Sequence, residues 1–272
     1  MRRYPVTEFI DMVNAHGIAY HEKKLGQLFC DHSAQDIVDM LLHEAEKVGV
    51  QIRLKSEVSE VVPYASGFRV NVATSKGKTA IEAYALDAPR VVLASGGLSL
   101  PKIASDLAYR TARDLGMSVV APSPALVPLT WNNADKAEFA ALSGVAVDCE
   151  ITCCRQSFRE NLLFTHRGLS GPAILQASSY WRPGEDVNIN FLPEHDVLAW
   201  LHQMRQDRGK ILLSNALKGL LPNRFVEAVI DRWFDDKTLG DMNAVQCEQV
   251  ARCLQAWRFR PGGTEGYRTA EV

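Results

Sequence analysis

Between Arg90 and Pro101 the chain reads RVVLASGGLSLP, and this stretch constrains the fold more than any other. Val91, Val92 and Leu93 form a short β-branched and aliphatic run closed by Gly96 and Gly97. Such a run predicts a buried strand ending in a sharp loop. Paired glycines allow positive φ and let the backbone approach something closely, a ligand or another strand. In an open α/β sheet the carboxyl end of a strand is where ligands bind. Taken alone, a strand followed by Gly-Gly is more often a plain turn than a cofactor contact.

The flanking segments decide how much weight that loop carries. Residues 7–15 predict a short helix, and residues 16–32 read as irregular, with Leu28-Phe29-Cys30 as a small apolar insert. Ser33-Ala-Gln-Asp36 fits a capping-box start, and Ile37, Val38, Leu41, Leu42, Ala45 and Val48 follow at helical spacing up to Gly49. Residues 50–62 read as a strand, because Val50, Ile52 and Leu54 alternate. Residues 63–88 read as an antiparallel hairpin turning at Ser75-Lys-Gly77-Lys78. A second helix is expected over 105–115, with Ser105 or Asp106 as cap and Gly116 as stop. Pro122, Pro124 and Pro128 then mark a crossing between domains.

Downstream, residues 145–154 and 162–165 read as strands. Ser170 or Gly171 opens a helix with Pro172 near its first position. After a strand over 187–192 the chain turns helical. Val197, Leu201 and Met204 share one face. Residues 212–221 form a further helix, Phe225 to Trp233 mark another, and Cys247 to Trp257 the last. The closing YRTAEV, residues 267–272, reads as the start of a strand.

Composition excludes some classes. A formal net charge of −2 gives no sign of a general polyanion binder, so no nucleic-acid partner is expected. No apolar run approaches a membrane span, and MRRYPVTEFIDMV lacks the apolar core of a secretory signal, so the expected location is cytoplasmic. The six cysteines show no C-x-x-C pair and no zinc spacing with histidine, so no metal is expected. Cys153-Cys154 is a vicinal pair: either a redox couple or, more simply, two strand residues pointing to opposite faces.

No G-x-G-x-x-G fingerprint follows a strand here; Gly168-Leu-Ser-Gly171 has the wrong spacing. The residues alone stop at a soluble α/β protein with an inserted β region and a helical lobe. Three longer blocks go further: KLGQLFCDHSAQDIV (24–38), the stretch 93–129 with LASGGLSLPKI and SPALVPL, and FRENLLFTHRGLSGPAILQASSYW (158–181). With Trp257 and GTEGYRTAEV they closely resemble the BaiN-like NAD(P)/FAD-dependent oxidoreductases, the aminoacetone oxidase-like bacterial flavoproteins.

The resemblance implies an α/β fold: part of a two-dinucleotide-type FAD-binding domain (residues 1–122), an inserted β-plus-helical substrate domain (123–263), and a returning FAD-domain strand beginning at 264–272. It implies FAD, with NAD(P) as a second cofactor, and hydride transfer between flavin and a nicotinamide or small organic substrate. The family's glycine fingerprint would lie upstream of Met1 and its closing flavin-site segment downstream of Val272. The alternative is therefore a truncated, inactive fragment or residual binding module. The run Lys102–Ala108 also lacks the two glycines usual in the family. Ser95, Gly96 and Gly97 match the cofactor loop; Ser99 and Pro101 border the flavin ring or form a rigid turn. Val58 meets adenine through its backbone or is an ordinary core valine. Thr165, His166, Arg167 and Ser170 are the substrate-side candidates, against a structural reading in which Ser170 caps a helix and His166 packs. No catalytic residue stands out, the expected partner is a small molecule, and the oligomeric state is open.

Overall fold

The computed structural model describes residues 3–23, 26–76 and 79–271, with the side chains of 75–81 left out of the description. Within it the chain forms a mixed α/β structure of two compact units, Met1–Ser59 with Arg69–Asp87, and Glu60–Phe68 with Ala88–Val272. Among the described residues no helix is long and apolar enough to cross a membrane.

The N-terminal elements are α1 (Val6–Ala15), β1 (Tyr20–Glu22), β2 (Leu28–Cys30) and α2 (Gln35–Lys47). The apolar insert at 28–30 is a strand after all: Tyr20 pairs with Cys30 and Glu22 with Leu28. The capping box expected at Ser33 does not form. The Ser33 hydroxyl accepts from the Gln35 N–H at 3.1 Å, and α2 starts after Ala34 with no side-chain cap. Helix α2 buries Met40 but leaves Val38, Leu41 and Leu42 about half exposed. His16 on the loop after α1 meets Glu44 of α2 at 2.8 Å.

A three-stranded meander follows, β3 (Ser56–Tyr64), β4 (Gly67–Lys76) and β5 (Thr79–Ala88), in the order β3-β4-β5. Gly77 and Lys78 of the expected turn lie outside the described residues. The strand expected over 50–62 begins only at Ser56; Val50, Ile52 and Leu54 are exposed and take no ladder partner among the described residues. The same holds for the strand expected at 91–93. Residues 90–97 take no ladder partner among the described residues, and Val92 is 88% exposed. An extended apolar run becomes a buried strand only where neighbours complete its hydrogen bonds and cover its faces. Neither condition is met here.

Beyond that loop come α3 (Leu107–Asp114), β6 (Leu129–Thr130), α4 (Asn133–Phe139), β7 (Ala146–Cys153), β8 (Gln156–Phe164), β9 (Gly168–Ser170) and α5 (Pro172–Ser178). They are followed by β10 (Val187–Asn190), α6 (Val197–Arg208), α7 (Leu213–Leu217), α8 (Asn223–Trp233), α9 (Ala244–Gln255), β11 (Trp257–Phe259) and β12 (Gly263–Thr264). Seven strands join in the order β11-β10-β7-β8-β9-β6-β12, every neighbouring pair antiparallel. Along β7 the side chains of Val147, Cys149, Ile151 and Cys153 are buried, as period-2 alternation requires of a sheet with one covered face. The opposing Leu162 and Phe164 of β8 are buried too. Helix α5 covers this face with Ala173, Ile174 and Ala177.

The helical lobe packs onto the same core through Leu201, Phe225, Val229, Val250 and Leu254. Rings from strand and helix meet there: Phe191 and Phe225 are 4.6 Å apart between centroids, and Phe139 and Trp257 5.2 Å. Trp181 is buried, and Trp200, Trp233 and Trp257 are partly buried against the core. Nearly all the fully buried apolar side chains lie after residue 126, whereas nearly all the exposed large ones lie before residue 121.

Of the two expected openers of this helix, Gly171 takes the position, with Pro172 first in the helix, and Ser170 does not. Ser170 pairs with Leu163 inside β9, and α5 begins at Pro172 after Gly171, whose φ is 90°. The ladder to β8 claims Ser170 before it can cap anything. The expected closing strand is absent as well: Gly266–Arg268 is a single 3-10 turn, and Val272 lies outside the described residues.

One buried hydroxyl fastens the domain crossing to α5. The Val127 N–H donates to the Ser178 hydroxyl at 2.9 Å, which donates onward to the Leu175 carbonyl at 2.7 Å. Val127 is fully buried and Ser178 nearly so. Ser178→Ala leaves that N–H without a partner and is expected to cost about 1–3 kcal/mol. Urea titration checks it; a variant as stable as the wild type would mean that the N–H finds another acceptor.

Candidate functional site

The loop after the unpaired run 90–94 is the most unusual polar environment in the second unit. Gly96 has φ 74°, and a Cβ built there meets nothing within 4 Å, so the residue is needed for its backbone angle beside open space. A Cβ at Gly97 would stand 3.1 Å from the Tyr109 hydroxyl of α3. The Gly97 carbonyl accepts from the Ser105 N–H at 2.8 Å, and the Ser105 hydroxyl accepts from the Leu107 N–H at 3.2 Å. This pins both ends of the loop to the start of α3. Leu100, with φ 57°, donates its N–H to the Tyr267 carbonyl at 3.3 Å.

Four side-chain hydroxyls here are buried at the oxygen and make no hydrogen bond among the described residues: those of Ser95, Ser99, Tyr267 and Thr269. Burying a hydroxyl without a partner costs about 1–3 kcal/mol, so four on two neighbouring segments leave hydrogen-bonding capacity that water or a polar ligand can meet. Burial pushes the Tyr267 phenol up, and Tyr109 adds to the shift. Tyr267 stays neutral and can donate. The sequence does not single out Tyr109, Tyr267 or Thr269: they lie within the blocks that carry the family resemblance, but no period or spacing ties them to the glycines.

The segment Gly263–Thr269 also reaches the second group of candidates. Glu265, only 12% exposed at its side chain, accepts from Arg268 at 3.2 Å and faces Arg167 at 3.5 Å. Arg167 and His166 are exposed in the turn between β8 and β9. Thr165 organises that turn. Its hydroxyl accepts from the Arg167 and Gly168 N–H groups at 3.2 and 3.1 Å and lies 2.9 Å from the Gly168 carbonyl. The Thr165 carbonyl takes the Trp131 indole N–H at 3.0 Å. One strap, 263–269, thus contacts both the Ser95–Leu100 loop through Tyr267 and the Thr165–Ser170 turn through Glu265. Pro101 is exposed beyond the loop, and Val58 lies half-buried in β3 of the first unit.

A cleft of about 520 Å³ opens at the near end of the strap, bounded by Pro124, Trp181, Arg182, Gly263 and Thr264. Its mixture of ring faces, backbone and one cation suits a planar polar group.

Comparison with known proteins gives two findings. Residues 123–272 match the family described as HI0933-like protein barrel and H2TH domain. The whole chain is similar to the ribosomal RNA dihydrouridine synthase of Escherichia coli (strain K12), 46% identical over 275 residues that cover 66% of that protein. It is likewise similar to the ribosomal RNA dihydrouridine synthase of Haemophilus influenzae (strain ATCC 51907 / DSM 11121 / KW20 / Rd), 41% identical over 275 residues, 67% of that protein. The chain therefore spans about two thirds of the length of these relatives. Their names overturn the expectation of a small-molecule substrate and no nucleic acid. A net charge near zero was a poor guide, because RNA is recognised by local groups and stacking rather than by the charge of the whole chain.

Proposed function

This chain belongs to the HI0933-like family, and from that membership we propose that it carries the flavin side of a reductase acting on ribosomal RNA. Dihydrouridine is uridine with a hydride and a proton added across one ring double bond, so such an activity needs a hydride donor. FAD recharged by a nicotinamide supplies that chemistry when bound. The observation that carries the proposal is the set of unpartnered buried hydroxyls around the Gly96-Gly97 loop. Ser95 and Ser99 on the loop, with Tyr267 and Thr269 on the strap, hold the cofactor's polar edge in this reading, and Gly96 lets the backbone come close. Thr165, His166, Arg167 and Ser170 form the substrate side, with Arg167 oriented by Glu265. The division into 1–122, 123–263 and 264–272 remains part of the proposal; the start of the matched family span at residue 123 supports its first boundary.

Gly96→Val places a β-branched residue at a left-handed φ, which costs about 1–2 kcal/mol of local strain and displaces the loop. Titration of FAD fluorescence with the purified chain is expected to show saturable quenching, weakened at least tenfold in Gly96→Val. Quenching that is absent, or equal in both proteins, would remove the loop from the cofactor site. A second reading, in which the chain on its own keeps only scaffold, is favoured by residues 90–97, which take no ladder partner among the described residues, and by the exposed Val92. It predicts no quenching by either protein.

A further inference from the structure

The turn between β7 and β8 gathers two thiols and a carboxylate that the flavin proposal does not use. Cys153 ends β7 with its side chain in the core, and Cys154 and Arg155 form the two-residue turn, with φ 48° and 67°. Two successive residues with positive φ are the pattern of a tight hairpin. In a regular strand the two sulfurs would point to opposite faces, as the sequence led us to expect. The left-handed step at Cys154 instead brings Cys154 Sγ to 3.9 Å from Cys153 Sγ.

Cys154 Sγ also lies 3.0 Å from Glu185 Oε2, and one ligand atom from each of the three residues falls within 4.8 Å of the others. The carboxylate is held in place. Glu185 Oε2 accepts the Arg182 N–H at 3.0 Å, the Glu185 N–H donates to the Arg182 carbonyl at 3.0 Å, and the Glu185 carbonyl takes the Trp181 indole N–H at 2.9 Å. Three anion-forming ligands thus converge from two rigid turns, with the Arg182 side chain close enough to offset part of their charge.

With metal–sulfur bonds of about 2.3 Å, sulfurs 3.9 Å apart subtend an angle of about 115° at a shared ion, between tetrahedral and trigonal. Two thiolates select a soft or borderline cation over magnesium or calcium. We propose that Cys153, Cys154 and Glu185 form a binding site for one zinc-class divalent cation, with a fourth position open on the exposed Cys154 side. Each bound ion displaces the two thiol protons. Burial first, then the neighbouring Cys154, pushes Cys153 up to about 12, and the Glu185 carboxylate raises Cys154. Uptake therefore strengthens as pH rises.

The test is titration of the reduced, metal-free chain with Cd²⁺ and, in competition, Zn²⁺, read by the ultraviolet thiolate-to-cadmium absorption. One ion per chain is expected, with a band whose intensity corresponds to two thiolates. Cys154→Ser, an exposed position whose replacement leaves the melting temperature unchanged, is expected to halve the band and weaken uptake roughly a hundredfold. Glu185→Gln keeps the band and weakens uptake roughly tenfold, and Cys253→Ser changes nothing. No saturable uptake, or equal uptake by the wild type and Cys154→Ser, would overturn the proposal.

Discussion

Gly168→Ala is expected to lower the melting temperature of the second unit by about 6–20 °C, the equivalent of about 3–5 kcal/mol in a unit of this size. Gly168 opens β9 and faces Thr130 of β6. A Cβ there would sit 1.9 Å from the Leu129 carbonyl oxygen and 2.7 Å from Thr130 Cα. Those are backbone atoms of a strand already paired to β12 as well, through Leu129 and Thr264. Relief would mean breaking one ladder or the other. The control is Gly184→Ala, at φ 91° with nothing near its Cβ, which carries only the left-handed strain of about 1–2 kcal/mol. Equal losses in the two variants, measured by thermal or urea unfolding, would show that β6 and β9 are not packed as described.

Phe225→Ala is expected to cost about 3–5 kcal/mol, the usual loss when a fully buried ring is cut to a methyl group. Phe225 is the hinge of the core: it is completely buried on α8, 4.6 Å from the Phe191 ring and 5.6 Å from the Phe164 ring of β8. Sheet and helical lobe share that contact, so the surrounding side chains cannot all collapse into the hole. The urea midpoint should fall with little change in slope. A loss below about 1 kcal/mol would mean that the lobe repacks freely and is not fixed to the sheet by this residue.

Sequence periodicity found what depends on local spacing. The apolar faces of α6, α8 and α9 follow from residues three and four apart, and the buried row of β7 from strict alternation. It failed where an element depends on a distant partner. Val50–Leu54 and Val91–Leu93 have the composition of strands, yet no ladder partner is present among the described residues and both stay open. Ser170 carried a cap signal that the pairing with Leu163 overrode. At the candidate site the glycine pair was legible, because two glycines after an apolar run need a backbone reason. Tyr109, Tyr267 and Thr269 were not, since only folding brings them near that loop. The left-handed Cys154 reversed the expected directions of a vicinal pair, and no spacing rule reports a backbone angle.

Val50–Leu54, Val91–Leu93 and one face of α2 leave apolar side chains exposed, and the relatives carry about a third of their length beyond the span matched here. A relative missing this span offers the decisive experiment. The matched span of the Escherichia coli protein is exchanged for these 272 residues, the hybrid is placed in a strain lacking that protein, and the dihydrouridine in its ribosomal RNA is measured by mass spectrometry. Dihydrouridine is expected to return with the hybrid and to be lost when it carries Gly96→Val. A soluble, folded hybrid that leaves the ribosomal RNA without dihydrouridine would contradict the proposed function.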